Sequence, residues 1–297
     1  MARLAALIRR ANRRVRRYGW RRLVLAAVAV VITTALLLYF LLAYTLADSP
    51  RLIPESIQYA RNIVFVTAHP DDETLFFSPT VLYHRHDPRV TRSLLVISSG
   101  NYNGIGDVRE SEIHNSCAAL GIALDRCMVL DHPALQDNPK AWWDEVVLRQ
   151  TFEPYIKKWK ADLIITFDNG GISGHINHRA VSAAVRNYVL NTPEAPQAFM
   201  LDSTFLLRKY SSLLDLVPSA LPFATRIFQA LLLPPPGRAA IAAGVTQYNS
   251  ALIVSPWRTY LESRAAFGQH HSQYSWDRVL YLVVSRYMWF NTLERIF

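Results

Sequence analysis

The sequence predicts an α/β fold: a Rossmann-like, doubly wound, mostly parallel sheet preceded by a single N-terminal transmembrane helix. Three features predict it. Between residues 62 and 205, short apolar runs alternate with helical patterns, as strands buried on both faces of a parallel sheet do. Leu23 to Leu46 is an uncharged apolar stretch of 24 residues. Motifs of histidine and acid follow two of the apolar runs directly, at the carboxyl ends where such sheets bind ligands.

In chain order, residues 1–22 hold nine arginines and no acid. The other 23 basic residues balance the 23 acidic ones, so the net charge of +9 belongs to this flank and the rest is formally neutral. Such a flank suits anionic lipid headgroups, and the neutral remainder argues against a nucleic-acid partner. As a helix, residues 23–46 rise roughly 36 Å, enough to cross a hydrocarbon core of ~30 Å, whereas a cleaved signal peptide has a shorter apolar region. Residues 47–61 form a connector marked by Pro50 and Pro54. With 51% apolar residues in the chain, residues 62–297 have ample material for one core.

Strands are expected at Asn62–Thr67, Ser93–Ile97, Cys127–Leu130 and Leu163–Phe167, with a fifth at Ala198–Phe205. Helical patterns fill Asp107–Leu120, Trp142–Trp159 and Asn177–Leu190. In the strand order 3-2-1-4-5 the first and fourth strands are neighbours, and a crevice opens between their carboxyl ends. Beyond Phe205 the pattern loosens. Leu221–Leu233, stopped by Pro234-Pro235-Pro236-Gly237, reads either as a core helix or as one lying on a bilayer surface. Residues 256–297 read as aromatic-rich helices that pack on the sheet or meet lipid headgroups. Cys117 and Cys127 are the only cysteines and read as buried thiols rather than a disulfide or metal site.

The chemistry lies in Ala68-His69-Pro70-Asp71-Asp72-Glu73 after the first strand and Gly174-His175-Ile176-Asn177-His178 after the fourth. Adjacent aspartates at the end of a buried strand repel each other and lose hydration, so something must offset their charge. A divalent cation does so: His69 and Asp72 can reach one ion from a tight turn, and His178 completes a two-histidine, one-carboxylate set with a position left for water. Zinc suits this set, which also accepts iron, cobalt or manganese. Asp71 is then the general base and later the acid for a leaving amine. His175 either stabilises an oxyanion, if protonated, or orients its neighbours; Asp168 either supports the site or caps its loop. A dinucleotide site is excluded, because it needs a glycine-rich turn after the first strand where this chain places three acids.

These motifs resemble the N-acetylglucosaminylphosphatidylinositol de-N-acetylases (PIG-L), within the LmbE-like deacetylases. The resemblance extends to Ser99-Gly100-Asn101-Tyr102, Arg109, Glu112, Asp131 and Asp137, and to Thr166-Phe167-Asp168 before the second motif. It includes His270-x-Ser272-Gln273, Trp276 and Ser285-Arg286-Tyr287-Met288. It implies a zinc-dependent amidase releasing acetate from N-acetylglucosaminyl-phosphatidylinositol, the second step of glycosylphosphatidylinositol anchor assembly. By position it implies His69, Asp72 and His178 as zinc ligands and Asp71 and His175 as catalytic groups. Arg109, Asn101 and His270 become substrate contacts, and Asp168 and Glu112 their supports; the residue-level alternative for Arg109 is an ion pair with Glu112 at helical spacing. The resemblance also implies a single-pass protein of the endoplasmic reticulum membrane with its catalytic domain in the cytosol. The arginine-rich start, by the positive-inside rule, places that domain on the opposite side, while the lack of an Asn-x-Ser/Thr acceptor in it agrees with the cytosol.

Overall fold

A computed structural model describes residues 2–236 and 248–297, with side chains from residue 19 onward; Gly237 and the side chains of the first seven arginines of the flank lie outside what is described. A seven-stranded sheet organises the chain, made of β1 (Asn62–Thr67), β2 (Thr91–Val96), β3 (Cys127–Val129), β4 (Leu163–Phe167), β5 (Gln197–Leu201), β6 (Ser250–Val254) and β7 (Phe290–Arg295). Its order is β3-β2-β1-β4-β5-β7-β6. The first five strands are parallel and follow the expected order, with Val64 opposite both Ser93 and Ile164. Their apolar runs are buried on both faces, and β1 and β4 are adjacent, so the two motif turns leave neighbouring strand ends.

Two strands went unread. β6 lies beyond the helix-and-strand alternation that marks the parallel strands, and β7 carries Asn291 and Thr292 at successive buried positions where a strand covered on both faces would ask for apolar residues. Both run antiparallel, β7 against β5 and β6 against β7. Asn291 is fully buried because the core needs its polarity: its Oδ1 accepts from the Thr80 N–H and hydroxyl, and its Nδ2 donates to the Phe76 carbonyl. A buried amide so satisfied is worth more in place than an apolar residue that would leave those groups unpaired. Tyr281 adds a hydrogen bond from its hydroxyl to the Leu75 carbonyl, so the C-terminal region grips the helical turn that follows the first motif.

The helix Gly106–Leu120 packs beside Trp257–Phe267, and Glu145–Lys158 beside Ile176–Asn191. The cysteine reading is corrected here. Gly121, in the left-handed region at φ 71°, ends the helix holding Cys117, and the turn Leu124–Arg126 returns the chain into β3 at Cys127. That reversal brings the two Cα atoms to 6.4 Å and the sulfurs are bonded. Spacing alone could not show a helix end and a strand start folding back on each other.

The N-terminal helix Ala2–Phe40 continues through a π-helical turn, Leu41–Thr45. Gly19–Thr45 contains an 18-residue window with a mean hydropathy of 2.6 and is long and apolar enough to cross a membrane. Most of it is exposed, but its last turns are built into the domain: Leu42, Ala43 and Leu46 are buried, Tyr39 meets Trp289 edge-on, and the Tyr44 hydroxyl accepts from the Trp257 N–H. The Leu221–Leu233 stretch packs one face on the core and leaves an apolar face exposed. It forms the turn Leu221–Phe223 and the helix Ala224–Leu232, which turns Phe223, Arg226 and Ile227 inward and leaves Leu221, Phe228 and Leu232 outside.

Candidate active site

The first motif turns sharply at the end of β1. Asp71 adopts φ 104°, a left-handed backbone that non-glycine residues rarely take, and the turn is held by the Glu73 carboxylate accepting from its N–H and by the Thr74 hydroxyl donating to its carbonyl. Strain of this kind is retained where the surroundings over-determine it, and functional sites are where it concentrates. The turn aims Asp72 back at the strand end, where its Oδ2 accepts from the N–H groups of Ala68 and His69. Its Oδ1 lies 3.2 Å from His178 Nε2. Burial would raise the Asp72 carboxyl, but His178 beside it and the bonds at His69 overcome that and hold it well below the usual carboxylate range.

The second motif enters from β4. His178 stacks on Phe167 at 4.1 Å, and its Nδ1 lies 3.2 Å from the Gly171 carbonyl. That contact fixes the ring so that Nε2 is the nitrogen turned toward Asp72. Gly171 belongs to a loop fixed by Asp168, which accepts from the N–H groups of Gly170 and Gly171 and from both the N–H and hydroxyl of Ser203. Asp168 therefore secures the backbone that orients His178, without touching the histidines.

His69, His175 and His178 converge so that one ring nitrogen of each lies within 4.8 Å of the others. His69 Nε2 faces Asp137 Oδ1 at 3.2 Å and Asn177 Oδ1 at 3.3 Å. Burial would lower the His69 pKa, yet Asp137 and Asp72 together raise it, so the carboxylates draw positive charge onto this spot. A divalent cation fits that demand. The donors are imidazole and carboxylate, His178 is already oriented by a carbonyl, and His175 Nδ1 is buried with no hydrogen-bond partner. Burial, with His178 and His69 alongside, pushes the His175 imidazole down to about 4, so the neutral ring and not the imidazolium is the form this setting favours.

The cluster opens into a cavity of about 320 Å³ lined by His69, Asp71, Asp72, His175 and His178, with Arg109, Asp137, Lys209 and Arg278 among its walls. Asp71 stands between two guanidinium groups, Arg109 and Arg278, each 3.8 Å from one of its oxygens. Burial raises its carboxyl despite both cations. Arg109 is not paired with Glu112. It donates to the carbonyls of Pro70 and Gly100, and a Cβ at Gly100 would collide with its guanidinium. Glu112 instead accepts from the N–H and hydroxyl of Ser272, tying the C-terminal loop to the helix.

Two expected substrate contacts lie away from the cavity. Asn101 caps its own turn through Gly106 N–H. His270, fully buried, sits behind the motif with Nε2 2.7 Å from Glu73. Conversely, Lys209, Tyr210, Arg278 and Tyr281 line the cavity, and no motif carried them; they stand in helical stretches where isolated cations and aromatics read as surface or packing residues.

Residues 64–189 match the family described as PIG-L: GlcNAc-PI de-N-acetylase. The chain is 35% identical over 236 residues to the N-acetylglucosaminyl-phosphatidylinositol de-N-acetylase of Bos taurus, covering 78% of this chain and 82% of that protein. It is 30% identical over 294 residues to the enzyme of the same name from Saccharomyces cerevisiae, covering 89% and 91%. The chain belongs to the PIG-L de-N-acetylase family. Both family motifs, with every histidine and aspartate of the cluster, fall inside the matched residues. The PIG-L fold extends to a solved structure, an antimicrobial-reagent pseudoaglycone deacetylase, with a TM-score of 0.52 at 12% identity over 78% of this chain and 95% of that one.

Proposed function

We propose that this chain hydrolyses the acetamide of N-acetylglucosaminyl-phosphatidylinositol to release acetate, the second step of glycosylphosphatidylinositol anchor assembly, using zinc. The observation that carries the proposal is the juxtaposition of His69, Asp72 and His178 with Asp71 at adjacent strand ends, in a chain aligned over most of the length of two relatives bearing that name. His69, Asp72 and His178 would hold the ion. When bound, a zinc ion polarises the amide carbonyl and makes water available as a nucleophile near neutral pH.

The protein's own groups do the rest. Asp71, its carboxyl raised by burial, takes a proton from the attacking water and gives it to the nitrogen of the departing amine as the C–N bond breaks. Arg109 and Arg278 hold that carboxylate from both sides, so it returns to one position between the two transfers. Neutral His175 donates a ring N–H to the oxyanion that develops on the acyl oxygen. Asp137 orients His69, and Asp168 orients His178 through the Gly171 loop.

The partner in this reading is a lipid, and the apolar helix is a permanent single-pass anchor in the endoplasmic reticulum membrane with the catalytic domain cytosolic. The deciding experiment is acetate release from N-acetylglucosaminyl-phosphatidylinositol by detergent-solubilised protein, beside Asp71→Asn and a chelated sample restored with zinc. Release that vanishes in both controls and returns with zinc supports reaction, substrate and metal together. Metal-loaded protein that instead deacetylates only a soluble amino-sugar conjugate would replace the lipid substrate with that one.

A further inference from the structure

Lys209 is a cation in the wrong place for a purely structural residue. It ends the turn Leu206–Lys209 after β5, and while Leu206 and Leu207 point into solvent, its side chain folds inward until it is only 6% exposed. Its ammonium donates to the Ser173 hydroxyl and lies over the rings of Tyr210, Phe76 and Tyr281 at 5.5, 5.6 and 5.6 Å. Among the described residues no carboxylate faces it. The other buried cations among the described residues are matched: Arg286 by Asp215, Arg226 by the carbonyls of Arg51 and Ser250, Arg92 by three backbone carbonyls, and Arg109 by two carbonyls and Asp71.

Burying an unpaired ammonium is costly, and Arg278 nearby adds repulsion to desolvation; the two lower the Lys209 pKa to about 8, which still leaves the group charged at neutral pH. Both cations line the cavity that holds the histidine cluster, with Tyr210 and Gln273 beside them. Arg278 already faces Asp71 at 3.8 Å on one side, so an anion entering this wall would gain Lys209, which has no counter-charge, and share Arg278 with Asp71, while relieving the repulsion between the two cations.

We propose that Lys209 and Arg278 form a subsite for a phosphodiester monoanion, the group joining the inositol of the substrate to its lipid. This rests on the proposed function. It seats the substrate in one direction: acetamide at the histidines, phosphate at Lys209, and acyl chains leaving past exposed Leu206, Leu207 and Leu280.

The test compares full-length wild type, Lys209→Met and Lys209→Arg on N-acetylglucosaminyl-phosphatidylinositol and on N-acetylglucosaminyl-inositol, which lacks the phosphate. Lys209→Met should lower kcat/KM on the phosphodiester by about tenfold or more, chiefly through KM, and change it less than about twofold on the phosphate-free substrate. Lys209→Arg should recover most of the loss. Activity on the phosphate-free substrate also reports that the variant folds. Equal losses on both substrates, or no loss on the phosphodiester, overturn the subsite. Wild type inactive on both would count against the catalytic reading instead, and calorimetric titration then decides the subsite separately. Glycerophosphoinositol binding to wild type but not to Lys209→Met keeps it. No binding to wild type, or inorganic phosphate binding as tightly, removes it.

Discussion

Residues 62–201 and residues 202–297 build one sheet and one cavity, yet they contribute different things. The first region supplies the parallel strands, both motifs, the three histidines and every carboxylate that touches them. The second supplies the antiparallel edge, the clamps on the motif turn through Tyr281 and Asn291, and the cationic wall of Lys209 and Arg278. Reaction chemistry is concentrated where the sheet topology places neighbouring strand ends. Recognition is assembled from loops and short helices packed onto that frame. The two regions should therefore fail differently when mutated.

The sharpest separation is expected at His178. His178→Ala should lose bound metal and bring acetate release below detection, measured by elemental analysis beside the activity assay; retained metal at full stoichiometry would take His178 out of the ligand set. Asp71→Asn comes next. It should keep its metal while kcat falls by about 10²–10⁴-fold, the range for loss of a general acid–base. The same substitution has a pH signature. The base works deprotonated and its carboxyl is raised, so kcat/KM of the wild type should climb with pH along an acid limb lying above the ordinary aspartate value, and Asp71→Asn should lack that limb.

Smaller effects probe the supports. Asp168→Ala frees the Gly171 loop and should weaken metal affinity by about tenfold through misorientation of His178, as competitive chelation would read. Asn101→Ala should leave kcat/KM within about twofold and cost about 1 kcal/mol of stability, the worth of its bond to Gly106 N–H. A tenfold loss of activity there would place Asn101 on the substrate and erase the contrast between wall and frame.

What could be read from the sequence follows the same division. The strands β1, β2, β4 and β5 are runs with one dominant character, and burial on both faces explains that character, so their order and the meeting of the two motifs were legible. Asp71 and Asp72 were legible because paired acids after a buried strand demand compensation. β7 was not, since its buried Asn291 is polar for a partner found 211 residues earlier at Thr80. Lys209 was hidden for a related reason: which neighbour a lone lysine faces is decided by tertiary packing, and only the missing counter-charge in three dimensions sets it apart. The neutral form of His175 depends likewise on two rings brought from elsewhere in the chain and from its own motif.

The bond between Cys117 and Cys127 has a use beyond the fold it closes. Thiol pairs facing the cytosol are held reduced by glutathione, whereas those facing an oxidising lumen close. The bonded pair sides with the arginine flank, and the cytosolic assignment points to the opposite face of the membrane; these are the only two cysteines in the chain. Trapping the protein directly from cells with an alkylating reagent under denaturing conditions therefore yields two labels or none. One pair of sulfur atoms becomes a built-in record of the compartment in which the enzyme meets its lipid.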